Sequence, residues 1–379
     1  MIYLDHAATT PVRAECLKAA WPYLTDEFGN PSSVHETGLR AKAALDWARQ
    51  ACADFLGARA GEIIFTSGGT EANNLAIKGT ALANPRGRHI VSSPLEHEAV
   101  LACLRYLEQF HGFEVTLLEP SSDGQISPMV LRTALREDTT LVSLMYANNE
   151  IGAINDIAAL AAEAAKVGAA FHTDAVQAAG WFDLNVAALG VQALSLSGHK
   201  FGAPKGSGLL WLSPGVAAEP VLHGGGQEHG LRSGTQNVAW AVALGVACQL
   251  AVNPGQAAAK AAAVTSAFID GVLGQFANAR LTGPTPESGN RHPAIASFTF
   301  DGVYGETLLL ELENAGVTCS SGSACAAGND EPSHVLTALG IPADTCRTAV
   351  RFSFGHDASI SQSTAALTAL TTALGKFGY

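Results

Sequence analysis

Two short runs decide the fold of this chain: His172-Thr173-Asp174-Ala175-Val176-Gln177 and Ser197-Gly198-His199-Lys200. The first closes an apolar segment, Ala170–Thr173, on a carboxylate. The second follows another apolar segment, Ala193–Leu196, and offers a lysine in a Ser/Gly/His turn. Short apolar runs of this kind read as buried strands of a parallel sheet, and ligands on such sheets bind beyond the carboxyl ends of the strands. A lysine at one strand end is placed for Schiff-base chemistry, and an aspartate at the next is placed to pair with a pyridinium nitrogen. Together the runs point to pyridoxal 5'-phosphate (PLP) bound through Lys200, with Asp174 tuning its ring. Either residue alone reads more simply as a solvated loop lysine or a capping aspartate.

Outward from these runs, apolar segments alternate with helical patterns. Candidate strands are Glu62–Thr66, His89–Ser92, Glu114–Leu118, Thr140–Met145, Ala170–Thr173, Ala193–Leu196 and Gly208–Leu212, with Ala/Leu-rich stretches such as Ile157–Val167 between several of them. The alternation predicts an α/β domain with a mainly parallel seven-stranded sheet. A break at Asn253-Pro254-Gly255 precedes a helix near Gln256–Ala279, a strand at Ala296–Phe300, a helix at Gly305–Ala315 and a strand at Ala349–Phe354. The expected division is a large domain, 15–254, and a smaller α+β domain built from 1–14 and 255–379.

The chain has 379 residues, enough for two domains, of which 47% are apolar and 15% charged. Its 22 Lys+Arg against 34 Asp+Glu give a net charge of −12, which argues against general nucleic-acid binding. No signal peptide and no uninterrupted apolar run of membrane-spanning length is visible. The seven cysteines are scattered, without a CxxC pair, so reduced cytoplasmic thiols and no structural zinc are expected.

Further candidates lie after the other strands. Thr66-Ser67-Gly68-Gly69-Thr70-Glu71-Ala72-Asn73-Asn74 opens a helix with small residues and could receive a phosphate, or be an ordinary capped helix. His97 could stack on a flat ring and move protons, or cap a helix. Asn148-Asn149-Glu150 could bind a ring hydroxyl or a carboxylate, or form a polar turn. Arg351, flanked by apolar residues, must be paired: with a substrate carboxylate, or within an internal ion pair. The loop Cys319-Ser320-Ser321-Gly322-Ser323-Ala324-Cys325-Ala326-Ala327-Gly328 could present a mobile thiol or be a plain turn.

These motifs, in this order, resemble the PLP-dependent cysteine desulfurases of the NifS/IscS type, within the class V aminotransferase-like superfamily. The resemblance also rests on Tyr3 to Pro11, Phe28-Gly29-Asn30-Pro31-Ser32-Ser33, Arg232-Ser233-Gly234-Thr235 and Glu331-Pro332-Ser333-His334. It implies the PLP-dependent transferase fold type I, and conversion of L-cysteine to L-alanine with a persulfide formed on Cys325. It implies that Lys200 carries PLP, Asp174 pairs with the ring nitrogen, Gln177 with the ring hydroxyl, and His97 stacks on the ring. Gly69, Thr70, Ser197 and His199 are implied to hold the phosphate, with Thr235 supplied by the partner of a homodimer. Asn149 and Arg351 are implied to hold the substrate carboxylate, Asn149 also touching the cofactor. Implied partners are sulfur-acceptor proteins such as an iron–sulfur scaffold or a tRNA-thiolation relay. Ala326 and Ala327 depart from the Thr or Ser often found after the loop cysteine.

Overall fold

The computed structural model describes residues 1–83, 85–321 and 332–379. The strands, in chain order, are β1 Ile2–Tyr3, β2 Ile63–Thr66, β3 His89–Ser92, β4 Glu114–Leu117, β5 Thr139–Ser143, β6 Ala170–Asp174, β7 Ala193–Ser197, β8 Gly208–Leu212, β9 Ala279–Leu281, β10 Ile295–Phe300, β11 Val317–Thr318 and β12 Ala349–Ser353. Seven of them form one sheet in the order β2-β8-β7-β6-β5-β3-β4. Its neighbours are parallel from β7 through β4, whereas β8 runs antiparallel to both β7 and β2. Strands β5, β7 and β8 are buried along their whole length, as a sheet covered on both faces requires.

The covering helices carry their apolar residues at helical spacing. Helix Glu36–Leu56 buries Ala41, Ala44, Leu45, Ala48, Cys52 and Phe55. It ends at Gly57, whose φ of 64° places it in the left-handed region that stops a helix with little strain. Helix Ile157–Val167 starts at Asp156, whose carboxylate accepts from Ala159 N–H at 3.1 Å, and stops at Gly168 with φ 71°.

A second apolar cluster gathers around β10 and β12. Phe268, on helix Gly255–Gln275, meets Phe352 edge-on at 4.9 Å and Phe354 at 5.7 Å. That helix is long and apolar enough to cross a membrane by length and composition, but Ala261, Val264, Phe268, Ile269 and Val272 are spent on this cluster. The helix expected to reach Ala279 stops at Gln275. Residues Ala279–Leu281 instead extend and pair antiparallel with β10, because ladder bonds and burial of Ala279 outweigh helical propensity there. The segment read as Thr140–Met145 is a strand over Thr139–Ser143, and the Met145 carbonyl accepts from Asn155 Nδ2 instead of a ladder partner.

The N-terminus positions the site. Strand β1 pairs parallel with β11, Leu4 lies in the second cluster, and Ala7 N–H donates to Ser353 Oγ at 2.9 Å. Thr10 N–H donates to the carbonyl of His199 at 2.9 Å. Residues 4–10 thus run from the second cluster to the carboxyl end of β7.

Candidate active site

A cavity of about 610 Å³ opens at the carboxyl ends of β5, β6 and β7. Asp174 is the last residue of β6 and Ser197 the last of β7, so the parallel sheet delivers both to one end. The short helical turn Gly198–Lys200 then lifts His199 and Lys200 over it. Lys200 Nζ donates to the Ala7 carbonyl at 2.5 Å and the Ala8 carbonyl at 3.0 Å. Gln177 Nε2 donates to the same Ala7 carbonyl at 2.8 Å.

Asp174 is buried, and both of its oxygens accept hydrogen bonds. Oδ1 takes the Val176 N–H at 2.9 Å and Oδ2 takes Asn73 Nδ2 at 2.6 Å. His199 is held through Nδ1 by the Thr9 hydroxyl at 3.1 Å. Burial, aided by the charges of Lys200 and Lys205, pushes the His199 imidazole down to about 4, so it is neutral at pH 7.

One wall is the start of two helices. Gly69 and Thr70 begin the helical run Gly69–Asn74, which continues through a π-turn at Leu75–Gly79. A Cβ on Gly69 would lie 2.8 Å from Val176 Cγ2 and 3.3 Å from Ser197 Cβ, so any larger residue there must push Val176 or the helix start aside. His97 caps helix Glu98–His111: its Nδ1 accepts the Ala99 N–H at 3.0 Å. The capping role coexists with a place on the cavity wall. Glu96 beside it is fully enclosed. Burial drives its carboxyl well above the usual carboxylate range against the pull of the Met145 N–H bond, and the charge of Asp174 adds to the rise.

The opposite wall joins the sheet to the second cluster. Arg351, on β12, is 1% exposed; its Nη2 lies 2.8 Å from Asp5 Oδ1 and its Nη1 donates to the Asn149 carbonyl at 2.7 Å. The internal ion pair is therefore present, and the guanidinium still borders the cavity beside Asn149. The polar-turn reading of Asn148 also holds, since its Oδ1 accepts the N–H groups of Glu150 and Ile151. Ser333 Oγ donates to Glu150 Oε2 at 2.5 Å, and His334 Nε2 bonds the Glu96 carbonyl at 2.9 Å.

Gly69, Thr70, His97, Asn149, Asp174, Gln177, Ser197, His199, Lys200 and Arg351 all border this one cavity. Thr235 does not. It lines a separate pocket of about 280 Å³ with Ser67, Arg232 and Trp240. Cys325 lies outside the described residues, but both flanks of its segment are placed: Ser320 bridges to the backbone of Arg351, and Pro332–Val335 line the cavity. Cys319 has a thiol pushed up by burial and then by the charge of Asp5, which suppresses thiolate. Sequence reasoning missed Asn73, Asp5 and the Ala7 and Ala8 carbonyls. Asn73 stood in a quoted motif one turn after Thr70, whereas no local pattern marks a carbonyl from residue 7 as the rest for an amine at residue 200.

The residues present fit PLP. The glycine-tight helix start, Ser197 and neutral His199 form an anion-binding end, the buried Asp174 carboxylate suits a ring nitrogen, and Lys200 supplies the amine.

Comparison with known proteins agrees. The Aminotransferase class-V family matches residues 2–362. The chain is 44% identical over 356 residues to a cysteine desulfurase IscS of Dictyoglomus turgidum, covering 93% of this chain and 89% of that one. It is 46% identical over 358 residues to a cysteine desulfurase IscS of Methanosarcina thermophila, covering 94% and 87%. A solved NifS-like protein superimposes with a TM-score of 0.91 at 33% identity, covering 99% of each chain. SspA, solved in complex with cysteine, gives a TM-score of 0.81 at 35% identity over 93% of this chain and 99% of that one. By sequence, fold and cavity, this chain belongs to the class V aminotransferase family and, within it, to the PLP-dependent cysteine desulfurases of the NifS/IscS type.

Proposed function

We propose that this chain converts L-cysteine to L-alanine and carries the sulfur away as a persulfide on Cys325. The observation that carries the reading is the meeting of Lys200, Asp174 and Arg351 in one cavity, from the ends of β7 and β6 and from β12. When bound, PLP acts as an electron sink for charge developing at the substrate Cα. Lys200 would hold it covalently, Asp174 would pair with its ring nitrogen, Gln177 with its ring hydroxyl, and Gly69, Thr70, Ser197 and His199 with its phosphate. Arg351 and Asn149 orient the substrate carboxylate, a bidentate task suited to a guanidinium. With substrate bound, Lys200 would be free to take the Cα proton, and His97, on the cavity wall, would move protons there. The Cys325 thiolate attacks the substrate sulfur. The Cβ–S bond breaks, an S–S bond forms, and Cβ receives a proton, so cysteine plus thiol balances to alanine plus persulfide.

The same reading divides the chain into a PLP-binding domain, 15–254, and a smaller domain, 1–14 with 255–379; the two largest apolar clusters follow that division except for Trp181, which joins the second. It makes the enzyme a cytoplasmic homodimer in which Thr235 serves the partner's cavity. Two features support the dimer: Thr235 does not line the cavity of its own chain, and Trp21, Phe28 and Val34 are 60%, 74% and 91% exposed. The sulfur then passes to an acceptor protein of iron–sulfur assembly or tRNA thiolation. The test is incubation with PLP and L-cysteine, followed by peptide mapping by mass spectrometry. A mass gain of one sulfur on Cys325 with equimolar alanine is expected, and Cys325→Ser should keep PLP while losing both. Pyruvate and ammonia in place of alanine would make the enzyme a β-eliminating lyase instead.

A further inference from the structure

Asn73 has no role in the assignment above, yet it makes the shorter of the two hydrogen bonds to Asp174, 2.6 Å from Nδ2 to Oδ2. It sits one turn beyond Gly69 and Thr70 on the helical run that borders the cavity, and it is 1% exposed. Its own Oδ1 is buried with no hydrogen-bond partner. An orphaned buried acceptor is costly, and an apolar side chain would fill the same space without that cost. The amide is therefore placed for its donor end. A neutral amide gives the carboxylate a fixed donor without placing a cation beside it. The same helical run begins at Gly69, so one element carries both a cavity-lining glycine and the amide that bonds Asp174.

We propose that Asn73 is a positioning residue for Asp174: its Nδ2–H holds the carboxylate in the orientation that would meet the ring nitrogen of the cofactor. This rests on the PLP reading of the cavity. The other titratable groups around it are Glu96, His97 and Glu98 at the head of helix Glu98–His111, and His199 and Lys200 after β7. Glu150, His334 and Arg351 lie on the opposite wall. All of these are common to wild type and variants, so a difference in pH behaviour reports position 73.

Two substitutions in the full chain test the proposal, with PLP binding measured by absorbance titration across pH at a temperature where circular dichroism shows each protein folded. Asn73→Ala removes the donor and should weaken PLP binding about tenfold at every pH. Asn73→Asp places a carboxyl against Asp174, and two such carboxyls share one proton. While that proton is present, residue 73 still donates and binding should approach wild type. As pH rises and the proton leaves, two negative charges face each other and binding should fall below that of Asn73→Ala. Equal binding by all three proteins, or an equal loss in both variants at every pH, would overturn the proposal. The PLP reading fails separately, and takes the proposal with it, if wild type forms no borohydride-reducible adduct at Lys200.

Discussion

Lys200 donates to two backbone carbonyls from the N-terminal segment, which help hold its amine at the cavity. Lys200→Ala should abolish the borohydride-reducible adduct and reduce alanine formation to background. A new reducible adduct at another lysine would count against the assignment. Gly69 is constrained by space: its φ lies outside the left-handed region, but an added Cβ meets Val176 Cγ2 at 2.8 Å. Gly69→Ala is expected to weaken PLP binding about tenfold, the equivalent of ~1.4 kcal/mol, by forcing the helix start away from Val176 and Ser197. An unchanged titration would show that Val176 simply rotates aside. Cys319 precedes Cys325 by six positions in the sequence. Its suppressed ionisation predicts that Cys319→Ser leaves persulfide formation intact, read by the same peptide mapping.

Among the elements, the strand β2 is fastened by one ion pair. Arg49, on helix Glu36–Leu56, bonds both oxygens of Glu228 at 2.7 Å and also the Ile63 carbonyl at 2.6 Å. Glu228 Oε2 in turn accepts the Phe65 N–H at 2.8 Å. Both side chains are buried, so removing one leaves an uncompensated charge. Glu228→Ala should cost about 3–5 kcal/mol of stability, measured by urea unfolding. A loss within the error of the extrapolation would mean that the pair is solvated in solution. Neither residue was legible as a partner of the other in the sequence, since 179 positions separate them and neither sits in a motif that names the other. The seven strands of the large sheet, by contrast, were readable from short apolar runs. What the runs did not show was that β8 turns antiparallel, because both orientations bury the same residues.

At the scale of the whole molecule, buried histidines set the response to acid. His172 links the hydroxyls of Ser143 and Ser195 across three strands, and burial lowers it to about 3. His292 accepts the Ala294 N–H and bonds the Gln177 carbonyl, and burial lowers it to about 3 as well. Both are depressed in the folded state from an ordinary value of 6.5, so the unfolded chain binds more protons below that pH. Their contribution is fully present above pH 6.5 and is lost as pH falls from there toward 3, by up to about 1.4 kcal/mol per pH unit for each histidine. Thermal melts should therefore show a falling Tm from pH 6.5 to 4, less steep in His172→Gln. A Tm that holds constant over that range would refute the assignment of neutral, buried imidazoles.

The sequence by itself determined the strand ends that carry chemistry. Asp174, Ser197 and Lys200 are local consequences of apolar runs that stop, and a parallel sheet has only one end at which they can stop together. It also named most of the cavity wall, because most of the motifs lay after a strand or opened a helix. Tertiary structure alone decided what those residues rest on. The Ala7 carbonyl beneath Lys200, the Asp5 carboxylate against Arg351 and the Asn73 amide against Asp174 are long-range contacts. Hydrogen-bond partners of that kind are fixed by how elements pack, and packing leaves no periodic trace in the chain.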